Sequence, residues 1–338
     1  MRRITLSDVA DRAGVSKSTA SKALSNRYGV SAETRASVER AARELGFSPS
    51  AVARQLALGK TSTVGVLTGD LEGRFVIPIL AGAEDALGAG ELSVILCDAR
   101  GDSIRERRHL RTLLERRIDG LIVVAGARTE PRESLGADLS VPVVYAYAPS
   151  SAPGDVSVVA DQAMGGRLAA EHMWNVGRRR IAYVGGDTTY AASSEREAGV
   201  REALKALGGD LTALTEGGSW DERWGRHAAG VLMDCDDPPD AIIAASDTLA
   251  RACLDAMRDR GVRCPQDVAV LGFDNLASVV PHTRPPLTSI DLELRSLGQR
   301  AAFRIFQALD GDPGPVGTEA RPVSLVVRES TMADLPVS

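Results

Sequence analysis

The chain has 338 residues, 44% apolar and 25% charged, enough for two or three domains with buried cores. Charge is unevenly spread: residues 1–60 hold 11 Lys+Arg against 5 Asp+Glu, and the remainder 29 against 40. A basic head on an acidic body fits nucleic acid at one end only, and no apolar run approaches the roughly 18 residues of a membrane span.

MRRITLSDVA has no apolar run of signal-peptide length, so a cytoplasmic protein with no membrane partner is expected. From Ile4 the chain reads as two short helices joined by a glycine turn. Thr5 caps the first, with Asp8 three residues on, and Leu6, Val9, Ala10 and Ala13 share an apolar face. Gly14 supplies the left-handed residue that ends it, and Val15 plugs the corner. Ser16 caps the second helix, whose Ala20, Ala23 and Leu24 face inward while Lys17, Ser18, Ser21 and Lys22 share the other face. Lysines and hydroxyls on a small helix suit a DNA major groove, although on the pattern alone a helix hairpin with a solvated face fits equally well.

Ser31 opens a third helix with Val38, Ala41, Ala42 and Leu45 on one face, and Gly46 ends it. Ser48-Pro49 then starts a helix too short to persist alone, which reads either as a connector or as a segment that folds only when packed. From Val64 the texture changes to short apolar runs separated by amphipathic helices: 64–67, 92–97, 120–124 and 141–147, then 181–186, 241–246 and 268–273. Continuous apolar strands between helices predict parallel sheets covered on both faces, here two of them.

Ligands in such sheets sit beyond the carboxyl ends of the strands. The residues just past those ends are Phe75, Asp98, Arg196, Ser246, Asp247 and Asp274, with Trp220 in a loop entering a helix. A flat aromatic, an arginine fork and carboxylates suit a small polyhydroxylated or heterocyclic ligand. Asp247 also reads as a helix N-cap, and Trp174 and Trp224 as residues packed on helices. Cys97, Cys235, Cys253 and Cys264 lack metal-ligand spacing and read as buried thiols. His109, His172, His227 and His282 show no nucleophile or metal spacing, so no catalytic residue, metal or cofactor is expected.

Taken together, ITLSDVADRAGVSKSTASKALS, VSAETRASVERAARELGFSPSAVARQL, SSEREAGVREAL and ASDTLARACLDAMRDRGVRCPQDVAVLGFDN resemble the LacI/GalR family of bacterial transcriptional regulators. The resemblance implies a helix-turn-helix head (1–47), a hinge helix and linker (48–61) and a periplasmic-binding-protein-like α/β core (62–338). The core would divide into one subdomain of about 62–160 plus 290–321 and another of about 161–289 plus 322–331. Lys17, Ser18 and Lys22 match base-contacting positions. Thr5, Leu6, Ser16, Thr19, Ser21, Ser31 and Thr34 match other DNA-binding positions, mostly phosphate or groove-positioning contacts. Ala53 and Leu56 match a hinge that folds on operator DNA, Leu56 as the minor-groove wedge, which displaces the reading as a passive connector.

In the core, Arg196, Asp274 and Trp220 match residues that grip an effector, and Phe75 and Ser246 fall where the cleft is lined. The resemblance implies a repressor of pseudo-palindromic double-stranded DNA controlled by a small carbohydrate effector. The family's common Asn-Pro-Phe-Phe is here Gly73-Arg74-Phe75-Val76, which leaves the pocket entrance open, and Gly-His-Arg is here Gly177-Arg178-Arg179. The chain ends without a leucine-heptad tail, so a homodimer is expected. A stand-alone sugar receptor or an enzyme using the cleft carboxylates are the competing classes.

Overall fold

The structure, a computed structural model, describes residues 4–24, 29–45, 47, 61–89, 92–124, 131–136 and 138–332. The chain divides into two compact units, Met1–Ser62 and Thr63–Ser338. Ala53, Leu56 and Gly46 lie outside the described residues.

The first unit holds α1 (Leu6–Ala13), α2 (Lys17–Leu24) and α3 (Ala32–Glu44) around Val9, Ala10, Ala20, Ala23, Val38, Ala41 and Ala42, all buried. Small side chains let three short helices approach closely, and Leu6, Val15, Leu24 and Leu45 close the rim of this core. Thr5 and Asp8 form a reciprocal capping box on α1, and Gly14 ends it at φ 69°. The exposed Arg12–Glu44 ion pair at 2.9 Å adds little, about 0–1 kcal/mol.

The second unit begins with β1 (Thr63–Thr68), α4 (Val76–Ala89), β2 (Ser93–Asp98), α5 (Ser103–Glu115), β3 (Gly120–Val124), β4 (Val143–Ala146) and β5 (Val156–Ala160). It continues through α6 (Gln162–Asn175), β6 (Ile181–Val184), α7 (Ala191–Ala206), β7 (Ala213–Thr215), α8 (Glu222–Met233), β8 (Ala241–Ala244), α9 (Asp247–Asp259) and β9 (Ala269–Phe273). Then come β10 (Thr288–Asp291), α10 (Leu294–Leu309), β11 (Gly317–Arg321) and β12 (Ser324–Val326).

The strands form two six-stranded sheets, ordered β11-β5-β4-β3-β1-β2 and β12-β10-β9-β8-β6-β7. All pairings are parallel except β10 with β12. In each sheet the order reverses beside the first strand, β1 or β6, opening a crevice at the carboxyl ends there. The chain crosses between sheets after β5, after β10 and after β11. The second crossing falls after Asp291, so β10 lies wholly in the second sheet.

A pair of helices packs backbone to backbone in each half. A Cβ on Gly82 would lie 1.9 Å from the Arg295 carbonyl oxygen, and one on Gly298 2.0 Å from that of Ile79, so α4 and α10 touch at their glycines. Gly166 and Gly199 do the same for α6 and α7, at 2.1 Å from the carbonyls of Arg196 and Ala163. One expectation fails here: Cys235 is an exposed thiol, because its chain position follows the end of α8. Cys253 is buried, which pushes its thiol up to about 12.

Candidate functional site

The carboxyl ends of the two sheets enclose a cavity of about 750 Å³. The loop after β1 supplies Arg74 and Phe75, the end of β4 Tyr147, and the start of α7 Tyr190 and Arg196. Trp220 enters from the loop before α8, Ser246 from the end of β8, and Asp274 from the end of β9. Five of the six expected effector residues, Phe75, Arg196, Trp220, Ser246 and Asp274, therefore share one cavity. Asp98 is not among its lining residues. It caps its own turn at the end of the edge strand β2, accepting from Arg100 N at 3.0 Å.

Arg196 is the centre of the site, and its side chain is 2% exposed. The close contact at Gly166 sets the Arg196 backbone directly against α6, one turn from Gln162. Its Nε then donates to Gln162 Oε1 at 2.7 Å, one terminal nitrogen to the Ala245 carbonyl and the other to Asp274 Oδ1 at 3.2 Å. Its planar group also lies 4.7 Å from the Phe273 ring centroid. A buried cation is tolerable only when paired and hydrogen-bonded, and this one meets both conditions.

Asp274 sits at φ 98°, with its N–H bonded to the Ile290 carbonyl at 2.9 Å, so the strand end itself aims the carboxylate inward. Burial raises its pKa, and the Arg196 and Arg74 charges oppose that rise. Behind it lies Asp247, which accepts from Ser289 Oγ at 2.6 Å and from Leu276 N at 2.7 Å. Burial first, then the Asp274 charge, pushes Asp247 up to about 8. Asp247 is thus not the helix cap expected from SDT. Ser246 caps α9, accepting from Leu249 N, and Asp247 at the next position pins the loop that carries Asp274.

Aromatic rings face the cavity from both sheets. Phe75 stacks on Tyr147 with centroids 4.8 Å apart, and Tyr190 meets Trp220 edge-on at 6.1 Å. Gly186 is required beneath Trp220, since a Cβ there would lie 2.6 Å from the indole. Trp224 packs through α8 and donates Nε1–H to the Gly185 carbonyl at 2.8 Å, while Trp174 lies under the Arg179 guanidinium. Tyr147, Tyr190, Gln162 and Arg132 belong to the site or its support, yet sequence reasoning passed over them. Tyr147 is hidden in an apolar run that reads as strand, and its signal is that it stands one residue past the strand end, at φ 76°.

In the first unit, Ser16, Lys17, Ser18, Ser21 and Lys22 are exposed on or beside α2, opposite buried Ala20 and Ala23. Thr5, Ser16 and Ser31 accept from the backbone N–H of Asp8, Thr19 and Thr34, so each stands at a helix N-terminus, where N–H groups and the helix dipole favour phosphate. Thr19 and Thr34 share hydroxyl contacts with Ser16 and Ser31 at 2.8 Å. Leu6 is half-buried against the small core. Among the described residues no group of three or more His, Cys, Asp or Glu is placed to hold a metal, and no helix is long and apolar enough to cross a membrane.

Known proteins share this arrangement. Residues 5–50 match the bacterial regulatory proteins of the lacI family, and residues 170–331 match the periplasmic binding protein-like domain. The HTH-type transcriptional regulator CelR of Thermobifida fusca is 33% identical over 97% of this chain and 98% of its own length. A crystal structure of the Lac repressor dimer bound to operator and an anti-inducer is 29% identical, covering 98% of this chain and 99% of its own, with a TM-score of 0.77. The structure of a CelR–cellobiose complex is 30% identical over 97% of this chain and all of its own, with a TM-score of 0.67. With the head, the two crossed sheets and the full-length likeness in agreement, the chain belongs to the lacI family of bacterial regulatory proteins.

Proposed function

We propose that this protein is a sequence-specific DNA-binding transcriptional repressor, acting as a homodimer in the cytoplasm, whose DNA affinity is set by a carbohydrate in the core cleft. The observation that carries the reading is a single cavity in which the buried Arg196–Asp274 pair stands between aromatic rings from two sheets. Carbohydrates present an apolar face to an aromatic ring and hydroxyl edges to charged hydrogen-bonding groups, and this cavity offers both.

A dimer places two α2 helices in successive major grooves of a pseudo-palindrome, with Lys17, Ser18 and Lys22 toward base edges. Thr5, Ser16, Thr19, Ser21, Ser31 and Thr34 hold the phosphates, and Ala53 and Leu56 enter the minor groove. The operator-bound Lac repressor dimer supports this geometry, and the CelR–cellobiose complex supports a sugar. Because the cavity is lined from both sheets, a ligand that bridges them biases their relative position, and any effect on DNA must be matched by an equal effect of DNA on ligand affinity.

A gel shift tests the reading. Selection of duplexes from a random pool should return a two-fold pseudo-palindrome, and a sugar that stabilises the protein should change its affinity for that duplex. Retention of every duplex with equal affinity would reject sequence-specific regulation and favour a receptor. Turnover of the bound sugar would favour an enzyme.

A further inference from the structure

Of the three arginines that line the cleft, Arg74 is the one that no carboxylate of the described residues holds at hydrogen-bonding distance. Among the described residues, Arg196 is spent on Asp274, and Arg132 pairs with Glu106 at 2.9 Å. Arg74 donates to Thr248 Oγ1 at 3.1 Å, lies 5.7 Å from the Phe75 ring centroid and approaches the Asp274 oxygen not used by Arg196 at 3.9 Å. One carboxylate, Asp274, thus stands between two guanidinium groups, and Arg196 holds it the more closely. Asp247 behind them is pushed toward its neutral form by burial and by the Asp274 charge. Asp70 and Glu72, the other carboxylates of the lining, are exposed on the loop after β1 like Arg74 itself, and water and salt screen all three.

A second observation is independent of Arg74. Arg132 also lines the cavity, and its Nε is buried without a hydrogen-bond partner among the described residues. A buried donor left unmade costs free energy that a ligand acceptor would recover. Arg74 is also where the sequence departs from the family's common Asn-Pro-Phe-Phe, since Gly73-Arg74 stands in that place. Its side chain, 35% exposed, reaches from one sheet's loop to the other sheet's helix, so it can be offered to a ligand without being torn from a packed core.

We propose that the effector is an anionic carbohydrate, a sugar carrying a carboxylate or a phosphate, whose charged group is taken by Arg74 with Arg132 as a further donor. The proposal rests on the carbohydrate reading of the cleft. On binding, the anion replaces the Thr248 hydroxyl on Arg74, exchanging a neutral acceptor for a charged, bidentate one about twice as strong. The ring of the sugar then lies between the aromatic walls, with its hydroxyls toward Arg196 and Asp274. Neutral sugars keep the ring contacts and leave the Arg74 charge unanswered.

The test is titration calorimetry on the full-length protein with the uronates, aldonates and 6-phosphates of glucose, galactose and mannose, each beside its neutral parent and with cellobiose included. At least one acidic sugar should bind 10- to 100-fold more tightly than its neutral parent, about the worth of one charge-assisted pair. That gap should narrow as salt is raised, collapse in Arg74→Met and partly survive in Arg74→Lys. The uronate and phosphate arms tell which anion is read. Neutral parents binding as tightly as their acids, or a gap unchanged in Arg74→Met, would overturn the anionic effector while leaving the carbohydrate reading intact. Failure of every sugar to bind protein that still selects its duplex would overturn both.

Discussion

Asp274→Ala is the sharpest probe of the buried pair. Arg196 is 2% exposed and cannot give up its proton, so removing the 1% exposed carboxylate leaves a buried cation held by the Ala245 carbonyl, the Gln162 amide oxygen and the Phe273 ring, with no directly bonded counter-charge. Breaking a buried pair in this way costs about 3–5 kcal/mol. Adding Arg196→Met removes the stranded charge while keeping an apolar stem over Phe273, so the double variant should be more stable than Asp274→Ala alone. The assay is urea unfolding of the full-length protein followed by tryptophan fluorescence. Trp174, Trp220 and Trp224 all lie in the second unit, so the signal reports that unit. A cost of Asp274→Ala below about 1 kcal/mol, or a double variant destabilised by the sum of the two single changes, would refute the argument that the pair is a desolvated, mutually dependent unit.

Other consequences follow from single contacts. Gly186→Ala should push the indole of Trp220 out of its place and weaken sugar binding with little loss of DNA affinity, as paired calorimetry and gel shift would show. Gly166→Ala should destabilise the second unit and displace Arg196, because its Cβ would sit 2.1 Å from the Arg196 carbonyl oxygen, and urea midpoints check this. Asp247 keeps a proton in the folded state up to about pH 8 that the unfolded chain releases near its ordinary value of 3.8. This group's contribution to stability is therefore fully present below pH 4 and is lost as pH rises toward 8, with a slope of at most about 1.4 kcal/mol per unit. Asp247→Asn should flatten that part of a stability–pH profile measured beside the parent protein. Lys22→Ala should weaken binding to the selected duplex by about 1–3 kcal/mol, and an equal loss on random DNA would deny it a base-reading role.

Much of the architecture was legible because fully buried parallel strands write themselves as uninterrupted apolar runs. VGVL, GLIVV, IAYV, AIIA and AVLGF each became a central strand. Strands β5, β7, β10, β11 and β12 have no such run: β7 and β12 are three residues long, serine or threonine interrupts β5 and β10, and GTEAR of β11 alternates. Helix α10 falls in the 290–321 segment expected in the first subdomain, and its glycine-to-glycine contact with α4 joins it to that half of the core. The site was legible where a residue type is costly without a ligand or partner, as with Arg196 and Asp274. Position past a strand end was a poorer guide: it favoured Asp98, whose strand lies at a sheet edge, and it missed Tyr147, whose apolar neighbours disguised it. The partnership of Asp247 with Ser289 and Leu276 spans distant stretches of chain, and no local pattern announces it.

Coupling between the sugar cleft and the DNA-reading head is the property on which regulation by this chain depends. Fluorescence anisotropy on the selected duplex, with and without a saturating sugar that calorimetry has shown to bind, tests it directly. DNA affinity should change by at least about 5-fold, matched by the same factor in sugar affinity when DNA is present. Tight binding of the sugar with no change in DNA affinity would contradict it.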